Sequence, residues 1–449
     1  MNLNTFHNIY FVGIGGIGMS ALARYFHAAH KSVSGYDKTP SDNTKALENI
    51  GIKVSFRDDI QVVDSMFLDN TTTMVVYTPA VPQTNSILAY FNAHNFTVLK
   101  RSDVLGMITK DTFCLAIAGT HGKTTTTSIL GHLMMEANQN MTAFLGGISE
   151  NYNSNLIQNG SKTTVVEADE FDRSFMTLSP NFACITSMDA DHLDVYGDKE
   201  SLKQSFLDFS KNIAPNGKLF VHEALGLEGI AYGVESNTDY SATNVRIING
   251  AYCFDLKTPL GLYKEFKFHL PGKHNLSNAV AALAMAIEYG CSVQKLSSGL
   301  DSYRGVKRRF SYKTKNDSFV FIDDYAHHPK EIDAVHQAIL EMHPNKKITA
   351  VFQPHLFSRT QDFADDFAYS LSVFDAVLLL EIYPARELPI SGVNSSWLLE
   401  KITAPIKKLV PKAKLFEAIE SIDYPVLVTM GAGDIGALVE PLSKKLEHA

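Results

Sequence analysis

The chain is predicted to be an α/β protein of three domains: Rossmann-like at the N-terminus, a central P-loop ATPase-like parallel sheet, and a second Rossmann-like domain at the C-terminus. Three observations predict this. Short apolar runs of strand length alternate with helix-length segments, the pattern of parallel sheets. Two of those runs end in glycine-rich turns that open helices. A length of 449 residues is about three times a common domain of ~150 residues.

The first block, residues 1–107, opens with strand-like Ile9-Tyr10-Phe11-Val12. The turn Gly13-Ile14-Gly15-Gly16-Ile17-Gly18 follows, then a helical stretch from Met19 to Ala29. Val33 to Tyr36 is a second strand ending at Asp37, and Met74 to Tyr77 another, closed by Thr78-Pro79. The second block, 108–314, holds the run Phe113 to Ala118, strands Thr163 to Glu167 and Ala183 to Ser187, and a helix from Asn275 to Tyr289. The third, 315–449, repeats the alternation through Phe319 to Ile322, Ile348 to Phe352, Ala376 to Leu380 and Val426 to Met430. The polar run Asn151-Tyr152-Asn153-Ser154-Asn155 reads as a loop.

Composition narrows the partners. Apolar residues at 45% and charged residues at 20% suit several buried cores. A net charge of −8 without Lys/Arg clusters offers nothing to nucleic acid. No run approaches the ~20 apolar residues of a membrane helix, so no membrane insertion is expected. The start Met1-Asn2-Leu3-Asn4 lacks a signal peptide's basic opening. Four cysteines, Cys114, Cys184, Cys253 and Cys291, are scattered without a C-x-x-C. A cytoplasmic protein with free thiols, monomeric or weakly dimeric, is expected.

The strongest chemical signal is Gly119-Thr120-His121-Gly122-Lys123-Thr124-Thr125, directly after the Phe113 to Ala118 strand. Glycines let the backbone turn its N–H groups inward at phosphate oxygens. Lys123 places a cation on the outer phosphates, and Thr124 offers a hydroxyl to Mg²⁺. The loop is shorter than the usual pattern, with Ile117 where the first glycine would stand. In the first block, Gly13, Gly15, Gly16 and Gly18, with Asp37 ending the next strand, fit a diphosphate site. A nucleotide other than NAD, NAD itself, or a tight turn without ligand all satisfy that pattern.

Several polar segments follow strands. Glu167-Ala168-Asp169-Glu170 would place a metal-binding carboxylate beside the phosphate loop. Asp189-Ala190-Asp191-His192-Leu193-Asp194 could bind a second divalent ion through His192. Lys273-His274-Asn275 with Asn278 either contacts an adenine or ribose or caps a helix. Arg308-Arg309 either clamps phosphate or is a solvated pair. Asp323 to Pro329 and Gln353 to Thr360 each close a strand, where open α/β sheets bind ligands. Arg359 there suits a free carboxylate.

Taken in order, these segments resemble the Mur ligase family, the ATP-dependent amide-bond ligases of peptidoglycan synthesis. The motifs that carry the likeness are G-x-G-G-x-G-M-S, G-T-H-G-K-T-T-T, E-A-D-E, D-H-x-D-x-Y, H-N-x-x-N-A, R-R-F, D-D-Y-A-H-H-P and F-Q-P-H. The resemblance implies ATP, Mg²⁺, L-alanine and UDP-N-acetylmuramate as ligands. Gly13 to Ser20, including Ile17 and Met19, would hold the UDP diphosphate. Gly119 to Thr125 would hold the ATP phosphates, with His274, Asn278, Arg309 and Asp324 also on ATP. Thr124 and Glu167 would bind one Mg²⁺, and His192 with Glu167 a second. Tyr325, His327, His355 and Arg359 would position the amino acid, with His327 the candidate base. Three departures stand out. Leu356 occupies a common arginine position, Phe171 a common serine, and Arg386 lies in Tyr383-Pro-Ala-Arg-Glu387, where it could supply the missing cation. The competing readings are a nicotinamide-dependent oxidoreductase, an ATP-switched binding module, and a sister ligase that attaches a preformed peptide.

Overall fold

The computed structural model describes residues 3–189, 196–385, 387–422 and 424–446. Three sheets carry the fold. In the first, the strands run in the order Lys53–Ser55, Ser32–Tyr36, Asn8–Val12, Thr73–Tyr77, Thr97–Lys100. All neighbours are parallel. Asn8–Val12 is buried throughout, which is why it reads as an unbroken apolar run rather than an alternation. Chain order reverses on either side of it, so its carboxyl end is the switch point where such sheets bind ligands. The first glycine turn starts there.

In the second sheet Phe113–Ala118 lies between Thr163–Glu167 and Phe182–Ile185, all parallel. Met141–Ser149 pairs with Thr163–Glu167 and returns through an antiparallel hairpin to Ser154–Gln158. Beyond Phe182–Ile185 the sheet continues through Lys218–His222, Ile230–Val234, Tyr240–Ile248, Ala251–Thr258 and Gly261–Phe268, making ten strands. These last five were not read from the sequence. Charged, polar and glycine residues interrupt them: Gly261–Phe268 is buried only at Phe266 and Phe268, and Tyr240–Ile248 only at its start.

The third sheet has the order Ser311–Lys315, Val320–Asp324, Val426–Met430, Ile348–Phe352, Ala376–Leu379, Ile406–Leu409. Only the Ser311–Lys315 edge is antiparallel. The expected division after residue 314 falls inside this edge strand, whose polar Ser-Tyr-Lys-Thr-Lys sequence carried no apolar signal.

By packing, the chain forms two compact units. One comprises 1–245, 254–267 and 277–304, and the other 246–253, 268–276 and 305–449. Within the first unit one core runs through both glycine-turn layers. Phe11, Met19, Leu22 and Phe26 share it with Phe144, Val166, Phe175 and Phe206. Each such side chain contributes ~1.5–3 kcal/mol on burial. Among the described residues no helix is long and apolar enough to cross a membrane.

Candidate active site

The phosphate loop is built by backbone geometry that only glycine tolerates. Gly119 has φ +130°, and a Cβ there would collide with Thr186 and with the backbone N–H of Ser187. Gly122, at φ +85°, heads the Lys123–Glu136 helix, and the Asn278 amide sits over it where a Cβ would project. The loop is braced from the neighbouring strand end. His121 N–H donates to Ser187 Oγ at 2.8 Å, and Thr120 Oγ1 accepts from Asp189 N–H at 2.7 Å. The first residues of the helix, Thr124 and Thr125, are buried at its N-terminus.

Lys123 is folded back into this loop. Its Nζ donates to Gly119 O at 2.6 Å and sits 2.8 Å from Glu170 Oε2. Burial disfavours the ammonium, but Glu170, Asp169 and Glu167 outweigh it and raise its pKa. Glu170 is fully buried. Sequence reading gave it no role, although its place at the end of E-A-D-E was the available signal.

Glu167 ends its strand between the phosphate loop and the Met141–Ser149 strand. Its Oε2 accepts from Thr124 Oγ1 at 3.1 Å, and its Oε1 from Gly146 N–H at 2.5 Å. Burial pushes its carboxyl up, against the pull of the Gly146 N–H, Lys123 and Thr124. A half-buried, desolvated carboxylate beside a threonine hydroxyl fits a divalent cation that a triphosphate would bring. His192 and the rest of 190–195 lie outside the described residues. Among the described residues no cluster of three His, Cys, Asp or Glu forms a metal cage.

The first glycine turn opens the Ile17–Ala28 helix without a side-chain cap, leaving its first N–H groups to a ligand. Asp37 Oδ2 accepts from Gly15 N–H at 2.8 Å, and Asn43 donates to Gly15 O at 3.0 Å. Arg101 packs its guanidinium against Gly18 and meets Asp169 at 3.8 Å. Asn43 and Arg101 were missed, because nothing local marks either as near the turn. Met19 and Ser20 are buried under the turn.

In the second unit the structure separates the Arg308-Arg309 pair. Arg308 is structural: it donates to Gly431 O at 2.6 Å and pairs with buried Asp323 at 3.3 Å. Both guanidinium groups lie over the Tyr325 ring, Arg308 at 5.2 Å and Arg309 at 5.1 Å, so the difference lies in Arg308's bonds to Gly431 and Asp323. Asp324 accepts from Phe310 N–H and Ala326 N–H at 2.7 Å each. Burial lifts its pKa to about 6, against the pull of Arg309 and these N–H groups. His274 is in this unit, beside Gly272, whereas Asn278 on the same helix belongs to the first.

Tyr325, His327, His355 and Arg359 do come together. Ring centroids lie 5.4 Å apart for Tyr325–His327 and 6.1 Å for His327–His355. Arg359 Nη1 is 3.4 Å from His355 Nδ1. Between them Leu356 holds φ +71° and ψ 139°, a costly conformation for a branched residue, with its N–H on Tyr383 O at 3.0 Å. Glu387, unmarked in the sequence reading, anchors the Arg359 helix by accepting from Ser358 N–H and Oγ. Arg386 lies outside the described residues.

Family models match nearly the whole chain. The Mur ligase family catalytic domain matches residues 8–112, the Mur ligase middle domain 117–286, and the Mur ligase glutamate ligase domain 308–434. The chain belongs to the Mur ligase family. It is 58% identical to the UDP-N-acetylmuramate–L-alanine ligase of Christiangramia forsetii, over 100% of this chain and 99% of that one. The same identity holds for the corresponding ligase of Flavobacterium psychrophilum, over the full length of both. The crystal structure of the UDP-N-acetylmuramate–alanine ligase from Thermotoga maritima superposes with a TM-score of 0.82 at 28% identity, covering 98% of this chain and 99% of that one. The nicotinamide reading of the first glycine turn falls with this membership.

Two outcomes follow for this Mur ligase. Lys123→Ala leaves Glu170 buried without its ammonium and is expected to cost about 3 kcal/mol of stability. Adding Glu170→Gln should recover most of it in urea unfolding; equal stability of wild type and Lys123→Ala would refute the pairing. Asp324 binds its proton more tightly folded than unfolded, so its contribution is present below pH 4 and lost as pH rises through 6. The stability of wild type relative to Asp324→Asn should therefore fall by roughly 2 kcal/mol between pH 4 and 7. A flat difference across that range would remove the claim.

Proposed function

We propose that this enzyme joins L-alanine to the lactyl carboxylate of UDP-N-acetylmuramate at the expense of ATP, in the synthesis of peptidoglycan precursors. The single observation that carries the reading is the end-to-end 58% identity to two UDP-N-acetylmuramate–L-alanine ligases. The phosphate loop supplies its chemistry. A carboxylate is a poor acyl donor because its leaving group would be oxide. Attack of a carboxylate oxygen on the ATP γ-phosphorus, with departure of ADP, converts it to an acyl phosphate. The alanine amine then attacks the acyl carbon, inorganic phosphate leaves, and an amide remains.

Each residue has a part in this reading. The turn and helix start from Gly13 to Ser20 hold the UDP diphosphate, with the N–H groups of Ile17 and Gly18 facing it and Arg101 adding positive charge at Gly18. Gly119 to Thr125 hold the ATP phosphates, and Lys123 and Arg309 offset the charge that gathers as two anions meet. Thr124 and Glu167 hold Mg²⁺, with His192 on a second ion; the metal supplies further neutralisation of phosphate charge. Asn278, His274 and Asp324 serve ATP. Arg359 takes the alanine carboxylate through paired hydrogen bonds. His327 is the candidate base, its Nδ1 3.0 Å from the Tyr325 carbonyl oxygen and 3.3 Å from Glu331 Oε2. The division into nucleotide-sugar, ATP and amino-acid domains near residues 107 and 314 belongs to the same proposal.

Phosphate release measured with ATP, Mg²⁺ and UDP-N-acetylmuramate should rise sharply on adding L-alanine and vanish with a chelator. Faster turnover with a murein tripeptide than with L-alanine would assign the chain to the peptide-adding sister class instead.

A further inference from the structure

The polar run Asn151 to Asn155 is neither a loose loop nor part of the chemistry so far described. It forms the tip and return of the Met141–Ser149/Ser154–Gln158 hairpin, and its side chains fasten two sites at once. At one end Tyr152 Oη is 2.7 Å from Nδ1 of His132, which lies on the phosphate-loop helix. His132 Nε2 faces the Gly299 carbonyl at 3.0 Å, so that nitrogen carries the hydrogen and Nδ1 accepts from Tyr152. Asn151 donates to Ser302 O at 2.9 Å and accepts from Arg304 N–H at 2.8 Å. The tip is thereby held against the ATP helix.

At the other end stands Asn155, with no exposed surface. Its Nδ2 donates to Ile17 O at 2.6 Å and to Ser20 Oγ at 2.8 Å. Ser20 Oγ in turn reaches Gly16 O at 2.9 Å. A peptide unit is planar, with its C=O and the following N–H pointing in opposite directions. Pinning the carbonyls of Gly16 and Ile17 from beneath therefore aims the N–H groups of Ile17 and Gly18 outward, where a diphosphate would lie. The Ser20 hydroxyl is engaged by Asn155 and Gly16 under the turn.

We propose that Asn155 is a positioning residue for the nucleotide sugar, acting through Ser20 and Ile17 to set the first glycine turn in register with the phosphate-loop helix. This rests on the reading of that turn as the nucleotide-sugar site. Ser20, matched by family resemblance to that site, then serves it indirectly.

Isothermal titration of the full-length enzyme with UDP-N-acetylmuramate and, separately, with ADP tests the idea. Asn155→Ala is expected to weaken the nucleotide sugar about tenfold, the scale of one lost hydrogen bond of ~1.4 kcal/mol, while ADP affinity stays within about twofold. Ser20→Ala should do the same, and the double variant should be little worse than either single one. Asn155→Asp keeps the side-chain shape while losing the donor, and carries the test if the alanine variant does not fold. Nucleotide-sugar affinity unchanged within about twofold, equal weakening of both ligands, or effects of the two substitutions that multiply would each overturn the proposal. Wild-type enzyme that binds ADP but no UDP-N-acetylmuramate would overturn the underlying site reading, and this proposal with it.

Discussion

The buried ion pair between Lys123 and Glu170 is the constraint around which the phosphate loop is built. A lysine poised at a phosphate loop is a concentrated charge in a partly dry place, and it needs a counter-charge whether or not nucleotide is present. Here the ammonium is satisfied internally, by the Gly119 and Thr120 carbonyls and by Glu170. In the proposed nucleotide site a triphosphate would compete for Lys123 rather than find it waiting. The cost of unpairing Glu170 would then be part of the cost of binding.

The same economy of charge recurs across the chain. Glu167 is half-buried beside Thr124, and desolvation raises its carboxyl above the ordinary range. Asp324 is buried among backbone N–H groups beside Arg309. In each case a strand delivers a carboxylate to the carboxyl edge of a parallel sheet, where neighbouring loops exclude water. Desolvation then makes the group sensitive to whichever positive charge is brought to it. Arg308 and Arg309 show how finely the fold divides similar residues. Both lie over Tyr325, but one guanidinium is consumed by Asp323 and Gly431 while its neighbour acts on the Asp324 carboxylate.

The two glycine turns depend on one another through packing. In the first unit they stand on strands that share a continuous core, from Phe11 and Met19 to Phe144 and Phe175. The hairpin that carries Asn155 is braced on the Lys123–Glu136 helix and reaches the first glycine turn. Hydrophobic burial fixes the gross placement, and a few buried hydrogen bonds set the last fraction of an ångström that phosphate recognition needs.

What the amino-acid order determined alone were the features whose physics is local. The three α/β blocks, the largely buried strands such as Phe113–Ala118 and the glycine turns could be read because each depends on a short run of residues and a fixed geometry; the grouping of Tyr325, His327, His355 and Arg359 was implied only by the family resemblance. What only the tertiary structure decided depends on partners far apart in the chain. Glu170 under Lys123, Arg101 against Gly18, the separation of Arg308 from Arg309, and Asn155 beneath Ser20 are contacts across tens to more than a hundred residues. The five added strands of the central sheet escaped for a related reason. A strand exposed over part of its length, as Tyr240–Ile248 and Gly261–Phe268 are, breaks its apolar run with polar and charged residues, and only the neighbours it pairs with show that it is a strand at all.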